Sequence, residues 1–340
     1  MKKKSTTLKD VALSCGVSAT AVSLALNNKP SNLSDKTKQN IIDTANRLGY
    51  RPDPTARSLA TKKTNTIGVI IPDISNAFFS EAVRHIQIEL SRCGYDMFLC
   101  NSEEKFINDV KYLELLLSRN VDGLIVTMSA ESMIKENQDK INTIFREAKT
   151  PYILFDRFCE CDASKVYVDN ESSGYDIAKH LIESGHKKIG VITGPLLLNS
   201  SRDRLKGVLK AINEAGLTLE KEHIINGFYD METGRQGAKK LLNKVSAIFA
   251  FNDLQAFGVL ETANQMNMHV PDDVSLVGFD DIFYASILET KLTTVRQPIY
   301  EMSQTIADLL MKMIDNPLYK EQKKLKATLV KRNSVKILNT

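Results

Sequence analysis

The chain has 340 residues, 43% of them hydrophobic, so it can bury more than one core and more than one domain is expected. No apolar run reaches the roughly 20 residues that span a bilayer, and Met1-Lys-Lys-Lys-Ser-Thr-Thr has no apolar segment behind its charges, which points away from a membrane and toward the cytoplasm. Cys15, Cys93, Cys100, Cys159 and Cys161 are odd in number and lack C-x-x-C spacing, so they read as reduced, mostly buried thiols, and no metal or other cofactor is expected.

Charge is unevenly spread. Residues 1–63 hold nine Lys and three Arg against four Asp and no Glu, a net +8 in a chain whose total is +4, so the remainder carries −4. The N-terminal segment has the sign that a polyanion attracts.

From Thr7 this basic head reads as three short helices. Leu8, Val11, Ala12 and Cys15 follow the i, i+3, i+4, i+7 rule until Gly16 breaks the helix. Ser18 is placed to cap a second helix running to about Asn27, with Val22 and Leu26 inward. Ser34 caps a third, whose inner face is Ile41, Ile42, Ala45 and Leu48. Ala19, Thr20, Ser23, Leu24 and Asn27 lie on the outer face of the second helix, without a long acidic side chain. Such a helix, entered through a Gly turn at Ser18, suits insertion in a major groove, N-terminal residues toward base edges. Thr7, Ser23, Asn27, Asn28, Tyr50 and Arg51 suit the flanking phosphates. On helical pattern alone, a three-helix interaction module without a DNA role is the alternative.

Leu8-Lys-Asp-Val-Ala through Gly16-Val-Ser, then Ala21-Val-Ser-Leu-Ala-Leu-Asn, Leu48-Gly-Tyr-Arg-Pro and Ala56-Arg-Ser-Leu-Ala, resemble the head of the lactose-repressor (LacI/GalR) family of transcriptional regulators, and the resemblance continues to roughly residue 335. Ala21, often Thr, and Leu24, often Arg, depart from the commonest pattern; an apolar Leu24 can touch a thymine methyl but cannot fork onto guanine. After the head, Asp53 can cap and Pro54 sits at the first helical position, so Pro54 to about Thr61 is primed as a helix, far below the roughly 12–15 residues at which isolated helices become marginal. The resemblance implies that two such hinge helices pair in the minor groove, each inserting a leucine; Leu59 occupies that position.

The body opens on the apolar run Thr66-Ile-Gly-Val-Ile-Ile-Pro, and similar runs recur at Tyr95–Cys100, Val121–Thr127, Tyr152–Phe155, Lys188–Thr193, Ala247–Phe251 and Val274–Phe279. Helical stretches alternate with them, among them Phe79–Arg92, Asn108–Arg119, Ser173–Ser184 and Leu254–Met266. The expected fold is therefore an N-terminal all-α helix-turn-helix head (1–51), a hinge (52–64) and an α/β body (65–340) of two doubly wound subdomains. The resemblance makes that body periplasmic-binding-protein-like, with three crossings between lobes, near residues 163, 295 and 328. The N-subdomain is then 65–162 with 296–327, and the C-subdomain 163–295 with 328–340.

In open α/β sheets ligands bind beyond the C-terminal strand ends. Polar residues there include Asn76 with Phe78 and Phe79, Asp156 and Arg157, Asn252 and Asp253, Asp280 and Asp281; Arg202 follows a further strand and Gln297 the crossing near residue 295. Carboxylate, guanidinium and amide groups offer bidentate hydrogen bonds to vicinal hydroxyls, and a sugar face stacks on Phe. The resemblance places Asn76, Phe79, Asp156, Arg157, Arg202, Asn252, Asp280 and Gln297 at ligand-contact positions, with Tyr229 as a further wall. Asp253 and Asp281 read as caps or turn formers.

The partners expected are a pseudo-palindromic double-stranded operator, a second copy of the chain, and a small sugar or sugar phosphate, with a ribose-like sugar the best single guess. The sign of the response stays open, with induction the default. One alternative keeps the head but replaces the sugar by a phosphorylated carrier protein, as in catabolite regulators. An enzyme is the other: the chain lacks a P-loop or G-x-G-x-x-G fingerprint, and His85, His180, His186, His223 and His269 do not follow apolar strands, so catalysis is not expected. No leucine heptads follow Lys336, so a tail-mediated tetramer is not expected.

Overall fold

A computed structural model describes residues 6–26, 30–51, 63–159 and 161–338. The chain divides into two compact units, Met1–Thr64 and Asn65–Thr340.

The first unit is built from α1 (Leu8–Cys15), α2 (Ala19–Leu26) and α3 (Asp35–Arg47). Thr7 and Asp10 form a reciprocal capping box at the start of α1, and Gly16 closes it at φ +66°, a left-handed conformation that glycine adopts without strain. The Ser18 hydroxyl accepts the Ala21 amide at 3.1 Å and that of Ser34 the Thr37 amide at 3.2 Å, so both expected caps form. Val11, Ala12, Val22, Ala25, Ile41 and Ala45 make the core. Leu48, expected on the inner face of α3, ends the helix 37% exposed, and Thr44 is buried on that face instead.

The second unit holds two parallel sheets. The first has the order β11-β5-β4-β3-β1-β2, formed by β1 (Thr66–Ile71), β2 (Asp96–Asn101), β3 (Gly123–Val126), β4 (Tyr152–Phe155), β5 (Ser164–Val168) and β11 (Gln322–Leu325). Ile67, Val69 and Ile71 of β1 pack on one face with α4 (Ala77–Arg92) and the late helix Ile299–Asp315, whereas Ile70 packs on the other with α5 (Phe106–Ser118) and α6 (Lys135–Glu147). Burial on both faces explains the unbroken apolar run. The second sheet has the order β7-β6-β8-β9, from β6 (Ile189–Thr193), β7 (Ile224–Asn226), β8 (Ala247–Ala250) and β9 (Ser275–Val277). Around it pack α7 (Asn170–Glu183), α8 (Asn199–Glu214), α9 (Met231–Leu241) and α10 (Asp253–Gln265). Ile299–Asp315 is α11.

β5 pairs with β4 and β11 in the first sheet, so the first crossing follows Val168 rather than residue 163; α7, directly after it, packs in the second lobe. The later crossings run side by side as an antiparallel pair, β10 (Thr294–Arg296) with β12 (Thr328–Val330).

Candidate functional site

In the first unit, Ser18 and Thr20 are exposed, whereas Ala19, Ser23 and Leu24 are partly covered. Thr7 donates both its N–H and its hydroxyl to the Asp10 carboxylate, at 2.8 Å each, so its donors serve the helix cap. Tyr50 packs against the head core and Arg51 is exposed. Asn27, Asn28, Leu59 and the expected hinge helix lie outside the described residues.

In the body, the strand ends of both sheets converge on one cavity. Three of its side chains sit where a strand ends or a helix begins. Asn76 caps α4, its amide oxygen accepting the Phe78 N–H at 3.0 Å. Asn252 caps α10, accepting the Gln255 N–H at 2.9 Å and donating to the Tyr229 carbonyl at 3.2 Å. Asp156 directly follows β4. Asp156 and Asp280 have φ of +60° and +112°, so both ring carboxylates project from left-handed backbone. Phe78, Phe79, Arg157, Tyr229 and Gln297 complete the expected set lining the cavity. The open space is about 20 Å³, room for about one water.

Arg202 is not among the lining groups. It is exposed at the start of α8, and its guanidinium donates to the Leu197 carbonyl at 2.6 Å. Arg204 lines the cavity instead, with Ser200. Two residues along a helix are about 200° apart around its axis, so when one arginine faces the cleft the other faces solvent. Arg204 shares its face with the buried Val208, Ala211 and Ile212, and this periodicity could have identified it. It is 3% exposed, donates through Nε to Asn170 Oδ1 at 2.7 Å and through Nη1 to the Phe251 carbonyl, and lies 3.3 Å from the Phe279 ring centroid.

The second arginine lining the cavity, Arg157, donates to Glu104 at 2.6 Å and stands between the rings of Phe79 and Tyr229, 5.1 and 5.5 Å from their centroids. Burial alone would lower its pKa, but the carboxylates of Glu104 and Asp156 outweigh that cost and hold it charged. Burial raises Asp156, with Arg157 and Arg204 opposing. Asp280, which accepts the Gln297 amide at 2.7 Å, is pushed up to about 7 by burial against the pull of Arg204. Asp156 Oδ1, Arg157 Nε and Gln297 Oε1 are buried without a hydrogen-bond partner, two acceptors and a donor around one cavity. Such orphans are costly unless something else satisfies them.

Asp253 is not a simple cap: fully buried, it accepts from the Thr294 hydroxyl at 2.7 Å and the Ile282 amide at 2.9 Å, while Asn252 provides the cap. Asp281 is a turn residue at φ +54° that also pairs with Arg296 and Arg332. No group of three or more His, Cys, Asp or Glu suited to a metal occurs among the described residues.

Residues 7–53 match the model for bacterial regulatory proteins of the lacI family, and residues 178–335 that for a periplasmic binding protein-like domain. The HTH-type transcriptional repressor PurR of Photobacterium profundum is 34% identical over 338 residues, covering 98% of this chain and 99% of that protein. The lac repressor dimer bound to operator and the anti-inducer ONPF superposes with a TM-score of 0.87 at 25% identity, over 98% and 100% of the two chains. A LacI-family regulator from Enterococcus faecium with bound ribose gives 0.71 at 30% identity, over 81% and 100%. With a helix-turn-helix head, an α/β body built around a buried polar cavity, and full-length relatives at this identity, the chain belongs to the lacI family of DNA-binding transcriptional regulators, controlled by an effector and not an enzyme.

Proposed function

We propose that this chain is a cytoplasmic repressor that binds a pseudo-palindromic operator as a homodimer and is released when a small sugar, ribose-like in size and hydroxyl pattern, binds between the lobes of its body. The observation that carries the sugar reading is the set of orphaned buried atoms on Asp156, Arg157 and Gln297, which call for a ligand offering donors and acceptors on neighbouring atoms. Asp280, Asn76, Asn252 and Arg204 add hydrogen-bonding capacity, and Phe78, Phe79 and Tyr229 supply apolar walls for a ring. The ribose bound by the Enterococcus faecium relative supports the same class. A cavity this small has to widen to admit a pentose, so the ligand discriminates between two body geometries, the condition for linkage. Arg157, Asp280 and, in place of Arg202, Arg204 around one cavity favour a direct effector over a phosphorylated carrier protein.

On the DNA side, the proposed readers are Ala19, Thr20 and Leu24 at the helix entry set by Ser18, the phosphate contacts come from Ser23, Asn27, Asn28, Tyr50 and Arg51 with Thr7 holding the start of α1, and Leu59 is the minor-groove wedge. A thermal-shift screen of sugars, sugar phosphates and nucleobases tests the effector class, because a ligand of the native state raises Tm with its saturation. A pentose or pentose phosphate that stabilises the protein and lowers its affinity for operator supports the proposal. Stabilisation by nucleobases alone overturns it.

A further inference from the structure

Cys159 and Cys161 lie between β4 and β5, just beyond the ring residues Asp156 and Arg157, and their Sγ atoms are 3.6 Å apart. Their surroundings differ. Cys159 is 2% exposed, packs in the core beneath the first sheet, and has its Sγ 3.4 Å from Asn142 Oδ1. Cys161 is partly exposed on a surface groove of about 590 Å³, beside Phe145, Tyr152, Tyr319 and Lys320. The hydrogen bond from the Cys159 thiol holds Cys161 below the usual thiol value, against burial, with Lys165 adding to the effect; the same bond and burial push Cys159 up. One sulfur is therefore accessible and biased to thiolate, and its neighbour is a shielded thiol within a side-chain rotation of it.

We propose that Cys159 and Cys161 form a peroxide-oxidisable dithiol in which Cys161 is the attacking sulfur and Cys159 resolves it to an intramolecular disulfide. The Cys161 thiolate attacks one oxygen of hydrogen peroxide; the O–O bond breaks, and the departing hydroxide takes a proton to become water, leaving a sulfenic acid. The Cys159 thiol then attacks that sulfur; the S–S bond forms, the S–O bond breaks, and the hydroxide leaves as a second water with the Cys159 proton. Two thiols and one peroxide give one disulfide and two waters. The sulfur atoms close by roughly 1.5 Å, and Cys159 gives up Asn142. Cytosolic disulfides of this kind are transient and redox-sensing rather than structural.

Reduced full-length protein is treated with one equivalent of hydrogen peroxide, remaining thiols are alkylated, and peptides are read by mass spectrometry. Two thiols are lost, both on the peptide holding Cys159 and Cys161, which becomes lighter by two hydrogens and is restored by dithiothreitol. In Cys159→Ser, dimedone traps a sulfenic acid on Cys161; Cys161→Ser forms no such disulfide. If the exposed Cys93 is oxidised while Cys159 and Cys161 still alkylate, or if dimedone labels Cys159 in Cys161→Ser as fast as it labels Cys161 in Cys159→Ser, the proposal is wrong.

Discussion

The exchange of Arg202 for Arg204 in the cleft gives the proposed effector site its sharpest test. Arg204 is 3% exposed and fixed by Asn170, by the Phe251 carbonyl and by the Phe279 ring, so its guanidinium is rigid and desolvated before any ligand arrives. A hydrogen bond to a charged group contributes about 1.5–3 kcal/mol, which is about ten- to a hundred-fold in effector affinity. Arg204→Ala also strands the Asn170 and Phe251 acceptors and removes the cation that opposes the buried charge of Asp280, so part of the loss will be structural. Arg204→Lys separates the two effects, since it keeps the charge but cannot reproduce the planar fork. Arg202→Ala removes an exposed side chain bonded to loop carbonyls, and effector affinity should change by less than about two-fold. Calorimetric titration of the sugar found by thermal shift, with anisotropy on labelled operator as the check on DNA binding, reads all three variants. Normal effector binding by both Arg204 variants, or a loss confined to Arg202→Ala, would refute the reasoning.

The Asp280 carboxyl, pushed up to about 7 from an ordinary 3.8, keeps its proton in the folded chain where the unfolded chain has released it; its contribution is therefore full below about pH 4 and lost as pH rises through 7, up to roughly 4 kcal/mol. Ligand-free protein should lose Tm progressively between about pH 4 and 7 and level off above that, and Asp280→Asn should flatten that slope in calorimetric scans, although Asp253, raised in the same direction, remains. An unchanged slope in the variant removes Asp280 as its cause. Thr7→Ala takes away one half of a capping box on an eight-residue helix and should cost the head about 1 kcal/mol, read by urea unfolding of the full chain followed at the head. Thr20→Ala should change the preferred operator bases by about 1–3 kcal/mol per altered contact, whereas Lys9→Ala or Arg51→Ala should weaken all sequences alike; one unchanged binding logo for Thr20→Ala excludes it from base readout. Leu59→Ala should reduce operator bending in a circular-permutation gel while leaving effector binding intact.

The elements legible in the sequence were those whose environment is uniform. Strands such as Val69–Ile71 and Ala247–Ala250 are buried on both faces and so have no alternative to an apolar run. Gln322–Leu325 and Ile224–Asn226 carry no comparable signal, since the first is the polar Gln-Lys-Lys-Leu that an exposed edge tolerates and the second is only three residues long, whereas the edge strand Asp96–Asn101 lies in an apolar run. Ser164–Val168 opens on two polar residues and has no long apolar run to mark it, and it carries the first crossing past the position near residue 163 that the resemblance implied. Ring residues after strand ends could be chosen because the fold puts ligands there, which is why Asn76, Asp156, Arg157, Asn252 and Asp280 lie together. Arg204 lies inside a helix, where strand-end logic does not reach and only the phase of the helix separates it from Arg202.

The position of Asp280 also explains how a ligand can act beyond the cleft. Its amide donates to the Val295 carbonyl at 2.9 Å, and its carboxylate accepts from Gln297, so it is bound to the crossing strand β10 and to the residue that follows it. Its neighbour Asp281 pairs with Arg296 at 2.7 Å and with Arg332 at 2.6 Å, one on each of the two later crossings. On the proposed reading, a sugar hydroxyl donating to Asp280 shares the carboxylate that already accepts the Gln297 amide, and Gln297 Oε1 is unpartnered. On that reading, ligand binding would redistribute hydrogen bonds at the segment that joins the lobes, and not only on the cleft walls. By linkage, whatever free energy this redistribution adds to one lobe arrangement over another equals the shift in effector affinity between them. Substitutions at Asp281 or Arg332, outside the proposed ligand set, should then change the response by altering the balance of body states, whereas those at Asp156 or Arg157 should change it through the proposed contact, and titration of operator affinity against effector separates a shifted unliganded affinity from a shifted effector midpoint.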